Sequence, residues 1–220
     1  MSDLVFAERP AAGEATGVLV LHHGRGTSEQ DLLGLADVLD PERRLHVAAP
    51  RGPLTLEGWP GFHWYAVPRV GYPDPATFRA AYDGLTAFHD ALWERTGTSP
   101  GNTIFGGFSM GSVMSYSLGL GPDRPAPAGI LAFSGFIPTV DGWEPHLADR
   151  KATRVFIAHG RRDPVMEVGF ARRARELLEA GGLAVEYHES DAAHHIDPAH
   201  VGPATAWLAG VIGLDTPPSQ

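Results

Sequence analysis

The sequence predicts an α/β domain, with a mostly parallel central sheet covered by helices on both faces. Two observations carry this. Short, predominantly apolar runs recur at residues 18–21, 45–49, 129–133 and 155–158, too short for helices and bounded by glycine, proline or polar turns. Segments with helical spacing alternate with them, the arrangement that parallel strands joined by crossover helices require. The 220 residues carry no internal repeat and no linker-like stretch, so a single domain over 1–220 is expected.

Taken in order, residues 18–22 read as a buried strand entering a glycine loop, His23-Gly24-Arg25-Gly26. Ser28-x-x-Asp31 has the form of a capping box, and Leu32, Leu33, Leu35, Ala36 and Leu39 follow at helical spacing. Residues 45–49 form the next strand, stopped by Pro50. Residues 51–76 are rich in glycine, proline and aromatics without a clear period, and so long a loop usually carries function. Phe78, Ala81, Tyr82, Leu85, Phe88 and Leu92 recur at three- and four-residue steps, an amphipathic helix. A strand at 104–108 runs into a helix over 112–120, ended by Gly121-Pro122. After the strand at 129–133 comes an irregular stretch, then a strand at 155–159. Asp163-Pro164 reads as the start of a helix closed by Gly181-Gly182. Residues 184–187 form the last strand, and Asp197-Pro198 opens the last helix, packing through Val201, Trp207, Leu208 and Val211. The tail, 215–220, is expected to fray.

Composition excludes several classes of function. The net charge is −9, from 17 basic and 26 acidic residues, with no basic run, which argues against a nucleic-acid partner. There are no cysteines, so neither a disulfide nor a cysteine nucleophile is available. Residues 1–10 lack the basic start and apolar core of a signal peptide, and no apolar run reaches membrane-spanning length. A cytoplasmic protein without stable membrane insertion is the expectation.

The chemistry centres on Gly107-Phe108-Ser109-Met110-Gly111. Between a strand and a helix, Gly-x-Ser-x-Gly forms a tight turn that lifts the serine hydroxyl above the sheet edge. A serine hydroxyl is protonated at neutral pH, so Ser109 needs a general base and a group to orient it. Asp163 lies just past the end of a strand, where open parallel sheets place their chemistry. It could equally serve as a helix N-cap before Pro164. Asp191 and Asp197 are the alternatives. His194 and His195 share the loop after the last strand, last in a Ser, Asp, His order, and either could be the base. His188 and His200 occupy ordinary structural positions. Two backbone donors would hold the oxyanion: the N–H of Met110, after the nucleophile, and one from the loop after an early strand, Arg25 with Gly26 next to it.

Five ordered motifs carry a family resemblance: Leu21-His22-His23-Gly24-Arg25-Gly26 with Asp31-Leu32-Leu33; Gly107-Phe108-Ser109-Met110-Gly111; Phe133-Ser134-Gly135-Phe136; His159-Gly160-x-x-Asp163-Pro164-Val165; and Ala193-His194-His195-Ile196. Over about residues 16–212 the chain resembles the phospholipase/carboxylesterase family of small α/β-hydrolases, which includes acyl-protein thioesterases. The resemblance implies an α/β-hydrolase fold without a separate lid domain. It assigns the base to His194, because Ile196 then falls two places later as in the family's Gly-His-x-Ile, here with Ala193 before the histidine. It also implies that Ser134 lies near the site and that no metal or organic cofactor is needed. Arg25 stands where family loops often carry leucine, which suggests a cation at the rim of the site. The aromatic segment 59–65, with Trp64 and Tyr65, falls where family members place substrate-facing residues.

The function expected is a serine carboxylesterase acting on small-molecule esters of short to medium chain, as a monomer or homodimer. A lysophospholipase or acyl-protein thioesterase would use the same groups. A non-catalytic binding protein on the same scaffold is the reading from a different class.

Overall fold

The computed structural model describes residues 4–213, so the expected fraying of 215–220 lies outside the described residues. Seven strands form one sheet: β1 (Phe6–Arg9), β2 (Gly17–His22), β3 (Leu45–Pro50), β4 (Thr103–Phe108), β5 (Gly129–Phe133), β6 (Arg154–Gly160) and β7 (Ala184–Ser190). Their order is β1-β3-β2-β4-β5-β6-β7, every pair parallel except β1 with β3. Five α-helices connect them: α1 (Leu33–Leu39), α2 (Pro75–Thr96), α3 (Met110–Leu120), α4 (Val168–Ala180) and α5 (Pro198–Val211).

The period of two along each strand divides the core between two faces. Val18 and Val20, Phe105, Ile130 and Ala132, and Val155 and Ile157 pack under α2, α3 and α4. Their neighbours Leu19 and Leu21, Ile104, Leu131 and Phe133, and Phe156 and Ala158 pack under α1 and α5. Strands buried on both faces have no polar positions to alternate, which is why they read as predominantly apolar runs. All six apolar positions of the predicted amphipathic helix are buried in α2.

Three sequence expectations are corrected. The capping box at Ser28 does not form: α1 starts at Leu33 after an uncapped Leu32, Ser28 accepts the Asp31 N–H through its own carbonyl, and the Thr27 hydroxyl donates to the Asp31 carboxylate. Asp163-Pro164 does not start α4, which begins five residues later at Val168. Asp163 caps a tight turn instead, accepting the N–H groups of Val165 and Met166 at 2.8 Å each. The strand β1 was not predicted; it is short, and only Arg9 in it is fully buried. Arg9 fastens it to the body by donating to the Asp40 carboxylate at 2.6 Å and to the Asp40 carbonyl at 2.9 Å. By contrast Asp197 caps α5 as expected, accepting the Ala199 N–H at 2.9 Å.

Beneath the loop that follows β2 lies a bed of buried rings. His89 stacks on Phe105 with centroids 4.4 Å apart, and His22 sits 5.6 Å from His89. His22 bonds Ser115 Oγ through Nδ1, while both ring nitrogens of His89 have no partner among the described residues. Burial holds both imidazoles neutral, lowering His22 from 6.5 to about 3 and His89 well below 6.5. The unfolded chain therefore takes up these protons first as pH falls. Stability is unaffected above pH 6.5 and declines below it, by at most about 1.4 kcal/mol per pH unit for each histidine. Urea unfolding at pH 7 and pH 5 should show this loss, and His89→Phe should reduce it; an equal loss in both proteins would refute the assignment.

Candidate active site

The strand β4 ends in the turn that carries Ser109, and the local packing explains the glycines around it. A Cβ on Gly111 would overlap the His22 carbonyl, and one on Gly107 would overlap the Gly111 backbone. Only hydrogen atoms at these positions let the start of α3 lie directly against β4 and the end of β2. Ser109 itself sits at φ 55, ψ −119, a left-handed conformation unusual for a residue with a side chain. Its N–H donates to the Phe133 carbonyl at 2.9 Å, which holds the turn against β5.

The hydroxyl of Ser109 lies 2.9 Å from His194 Nε2, and His194 Nδ1 lies 2.6 Å from Asp163 Oδ2. These three come from the ends of β4, β6 and β7, which the parallel topology brings to one edge. The Asp163 side chain is fully buried. With Oδ1 bonded to two backbone N–H groups, its Oδ2 is aimed at the imidazole. His159 lies behind it, donating from Nε2 to the Met166 carbonyl at 2.8 Å, with Asp163 Oδ2 3.4 Å away. That second imidazole pins the far side of the Asp163 turn. The sequence showed His159 as an end-of-strand residue without revealing this contact.

The histidine loop is held to β6 by backbone bonds. The Arg162 N–H donates to the Ala192 carbonyl at 3.1 Å, and a Cβ on Gly160 would collide with that carbonyl. The Phe108 ring packs 4.9 Å from the His194 imidazole and limits its rotation. His195 bonds neither Ser109 nor Asp163, although it lines the same cavity. Asp191 pairs with Arg161 at 3.0 Å and Asp197 caps α5; neither carboxylate forms a hydrogen bond or ion pair with His194 or His195, although His195 lies near enough to Asp197 to act on it electrostatically.

The N–H of Gly26 is already bonded to the Phe62 carbonyl at 2.9 Å. The N–H groups of Arg25 and Met110 donate to no protein acceptor among the described residues.

Ser109 and His194 open into a cavity of about 620 Å³. Leu32, Tyr65, Val67, Val70, Phe136 and Ile196 give it apolar walls, with Arg25 and Trp59 also on the lining. Tyr65 lies on the wall, whereas two other residues named from the sequence, Trp64 and Ser134, do not. Trp64 is wholly buried under the Arg25 loop, its indole N–H donating to the His23 carbonyl at 2.9 Å. Ser134 is buried at φ 51, its N–H bonded to the Ala158 carbonyl at 2.9 Å, and takes no part in the lining. Trp59, in the same aromatic segment, is exposed and lines the cavity instead. Among the described residues no group of three or more potential ligands could hold a metal ion, and no helix is long and apolar enough to cross a membrane.

Comparison with known proteins agrees with this architecture. The model of the family described as Phospholipase/Carboxylesterase matches residues 7–212. An acyl-protein thioesterase 1 from Yarrowia lipolytica is 25% identical over 199 residues, spanning 84% of this chain and 87% of the relative. Among solved structures, the Bacillus cereus carboxylesterase superposes with a TM-score of 0.84 at 25% identity, covering 96% of this chain and 95% of the other. The esterase PE8 superposes with a TM-score of 0.78 at 29% identity, covering 94% and 99%.

Proposed function

The chain belongs to the phospholipase/carboxylesterase family of hydrolases, and from that premise we propose that it is a serine carboxylesterase acting on short- to medium-chain esters. The observation that carries the reading is the Ser109–His194–Asp163 series, at 2.9 and 2.6 Å, opening on one apolar cavity.

In this reading His194 Nε2 takes the proton from Ser109 as its oxygen attacks the ester carbonyl carbon. Asp163 fixes the tautomer that leaves Nε2 free to accept, and it stabilises the imidazolium that forms. The unpaired N–H groups of Arg25 and Met110 receive the oxyanion; losing one such donor typically costs about 100- to 1000-fold in turnover. Because Gly26 N–H is engaged with Phe62, Arg25 is the better candidate of the two loop donors. The imidazolium then protonates the departing alcohol, leaving an acyl-enzyme. Water, activated by His194, attacks that ester and releases the acid and Ser109.

The cavity supports the size class. At about 620 Å³ it lies in the range of sites for small molecules, and its walls are apolar. A thioesterase reading has its own support in the acyl-protein thioesterase relative, since a thioester carbonyl would meet the same groups.

Hydrolysis of 4-nitrophenyl esters from acetate to palmitate, with Ser109→Ala as control, tests the proposal. Turnover that peaks at short or medium chains and vanishes in the variant is expected. A peak at long chains would move the reading to a lysophospholipase or acyl-protein thioesterase. Activity at no length would favour a binding protein.

A further inference from the structure

Arg25 provides more to this cavity than a backbone N–H. It is the only lysine or arginine on the lining, and its side chain forms no salt bridge or hydrogen bond among the described residues. The guanidinium lies over the exposed Trp59 ring, 3.9 Å from the centroid. Stacking engages the face of a guanidinium and fixes its plane, but leaves the N–H edges free for a planar anion. The charge reaches inward as well, since it partly opposes the effect of burial that raises the Tyr65 phenol on the cavity wall.

A neutral ester has no use for such a group. Apolar walls around Ser109 would bind its chain by desolvation alone, and a leucine at position 25 would serve better. A cation with open donors at the mouth of an apolar cavity selects for negative charge. Asp31 is the one carboxylate on the lining. Its carboxylate accepts the Thr27 hydroxyl at 3.1 Å and forms no ion pair with Arg25 among the described residues.

We infer that Arg25, seated on Trp59, is a specificity-determining anion site, and that the preferred substrates are esters bearing a carboxylate or a comparable anionic group. The inference rests on the ester-hydrolase reading for its turnover test, and carries a binding test that does not. The anion could sit on either the acyl or the alcohol half of the ester.

The test compares kcat/KM for matched anionic and neutral esters. For the acyl half these are mono-4-nitrophenyl adipate and 4-nitrophenyl hexanoate; for the alcohol half, 4-acetoxybenzoate and its methyl ester. In the wild type the anionic-to-neutral ratio should fall as salt is raised. Arg25→Gln should lower the ratio about tenfold in one arm, which identifies the half that carries the charge. Arg25→Lys should keep part of it, and Asp31→Asn should raise it. Opposite movements in two variants are not what general damage to the loop would produce. A ratio that Arg25→Gln leaves unchanged in both arms would overturn the inference.

Calorimetric titration of Ser109→Ala with monomethyl adipate and with methyl hexanoate makes the test independent of turnover. The anionic ester should bind about tenfold more tightly, and that preference should vanish when Arg25→Gln is added. Equal binding within this pair and also within the 4-acetoxybenzoate and methyl 4-acetoxybenzoate pair would overturn the inference. Absence of hydrolysis with all four esters would refute the ester-hydrolase reading alone, with the titration still deciding the anion site.

Discussion

Replacing His194 with alanine is expected to reduce ester turnover by about 10⁶-fold, while His195→Ala should stay within a few-fold of wild type. The difference follows from geometry, since the residues are adjacent and chemically identical. His194 meets Ser109 at 2.9 Å through Nε2 and Asp163 at 2.6 Å through Nδ1, so Nε2 is placed to take the hydroxyl proton while the carboxylate holds the ring through Nδ1. His195 shares the cavity without either contact. In serine hydrolases of known mechanism, loss of the base costs about as much as loss of the whole triad, because the groups act as a unit. Both variants should remain folded, because neither imidazole is in the core, and circular dichroism would establish this. A large loss in His195→Ala with His194→Ala active would reverse the assignment.

Asp163→Asn should lower kcat by about 10⁴-fold with little change in fold. The amide oxygen can take over the two turn bonds from Val165 and Met166 at Oδ1. Its NH₂ group then occupies the Oδ2 position and donates to His194 Nδ1. That forces the proton onto Nε2, where it faces Ser109 and leaves no lone pair to accept the hydroxyl proton. Asp163→Ala should add a stability loss, because the Val165 and Met166 N–H groups, which the carboxylate now satisfies, would be left unpaired. A variant Asp163→Asn with near-normal kcat would show that Asp163 only caps the turn.

The two sets of contacts made by this one carboxylate explain why the sequence left Asp163 ambiguous. Asp before Pro is the pattern of a helix start, and the structure shows a related but different arrangement: a side-chain-capped turn five residues before α4. Local pattern records that an acceptor is wanted near the next few N–H groups. It does not record that the second oxygen of the same carboxylate has a partner 31 residues away. The failed capping box at Ser28 is the converse case. Its side chain had a local pattern to fit, but the Arg25 loop drew Thr27 and Asp31 into bonds with each other.

The sequence by itself determined the alternation of strands and helices, the strand-to-helix turn at Ser109, and the Ser, Asp, His order. These rest on interactions within a few residues: apolar period, glycine where two backbone segments touch, and residue types without which the chemistry cannot run. Only the tertiary structure decided which rings face the cavity, that Arg25 rather than Gly26 keeps an unbonded N–H, and that His159 supports Asp163. Trp64 lies inside and Trp59 at the mouth because the indole of Trp64 finds the His23 carbonyl beneath the loop, while Trp59 is left to stack with Arg25. No periodicity encodes that division, because each partner lies dozens of residues away and is brought close only when the loops close over the sheet.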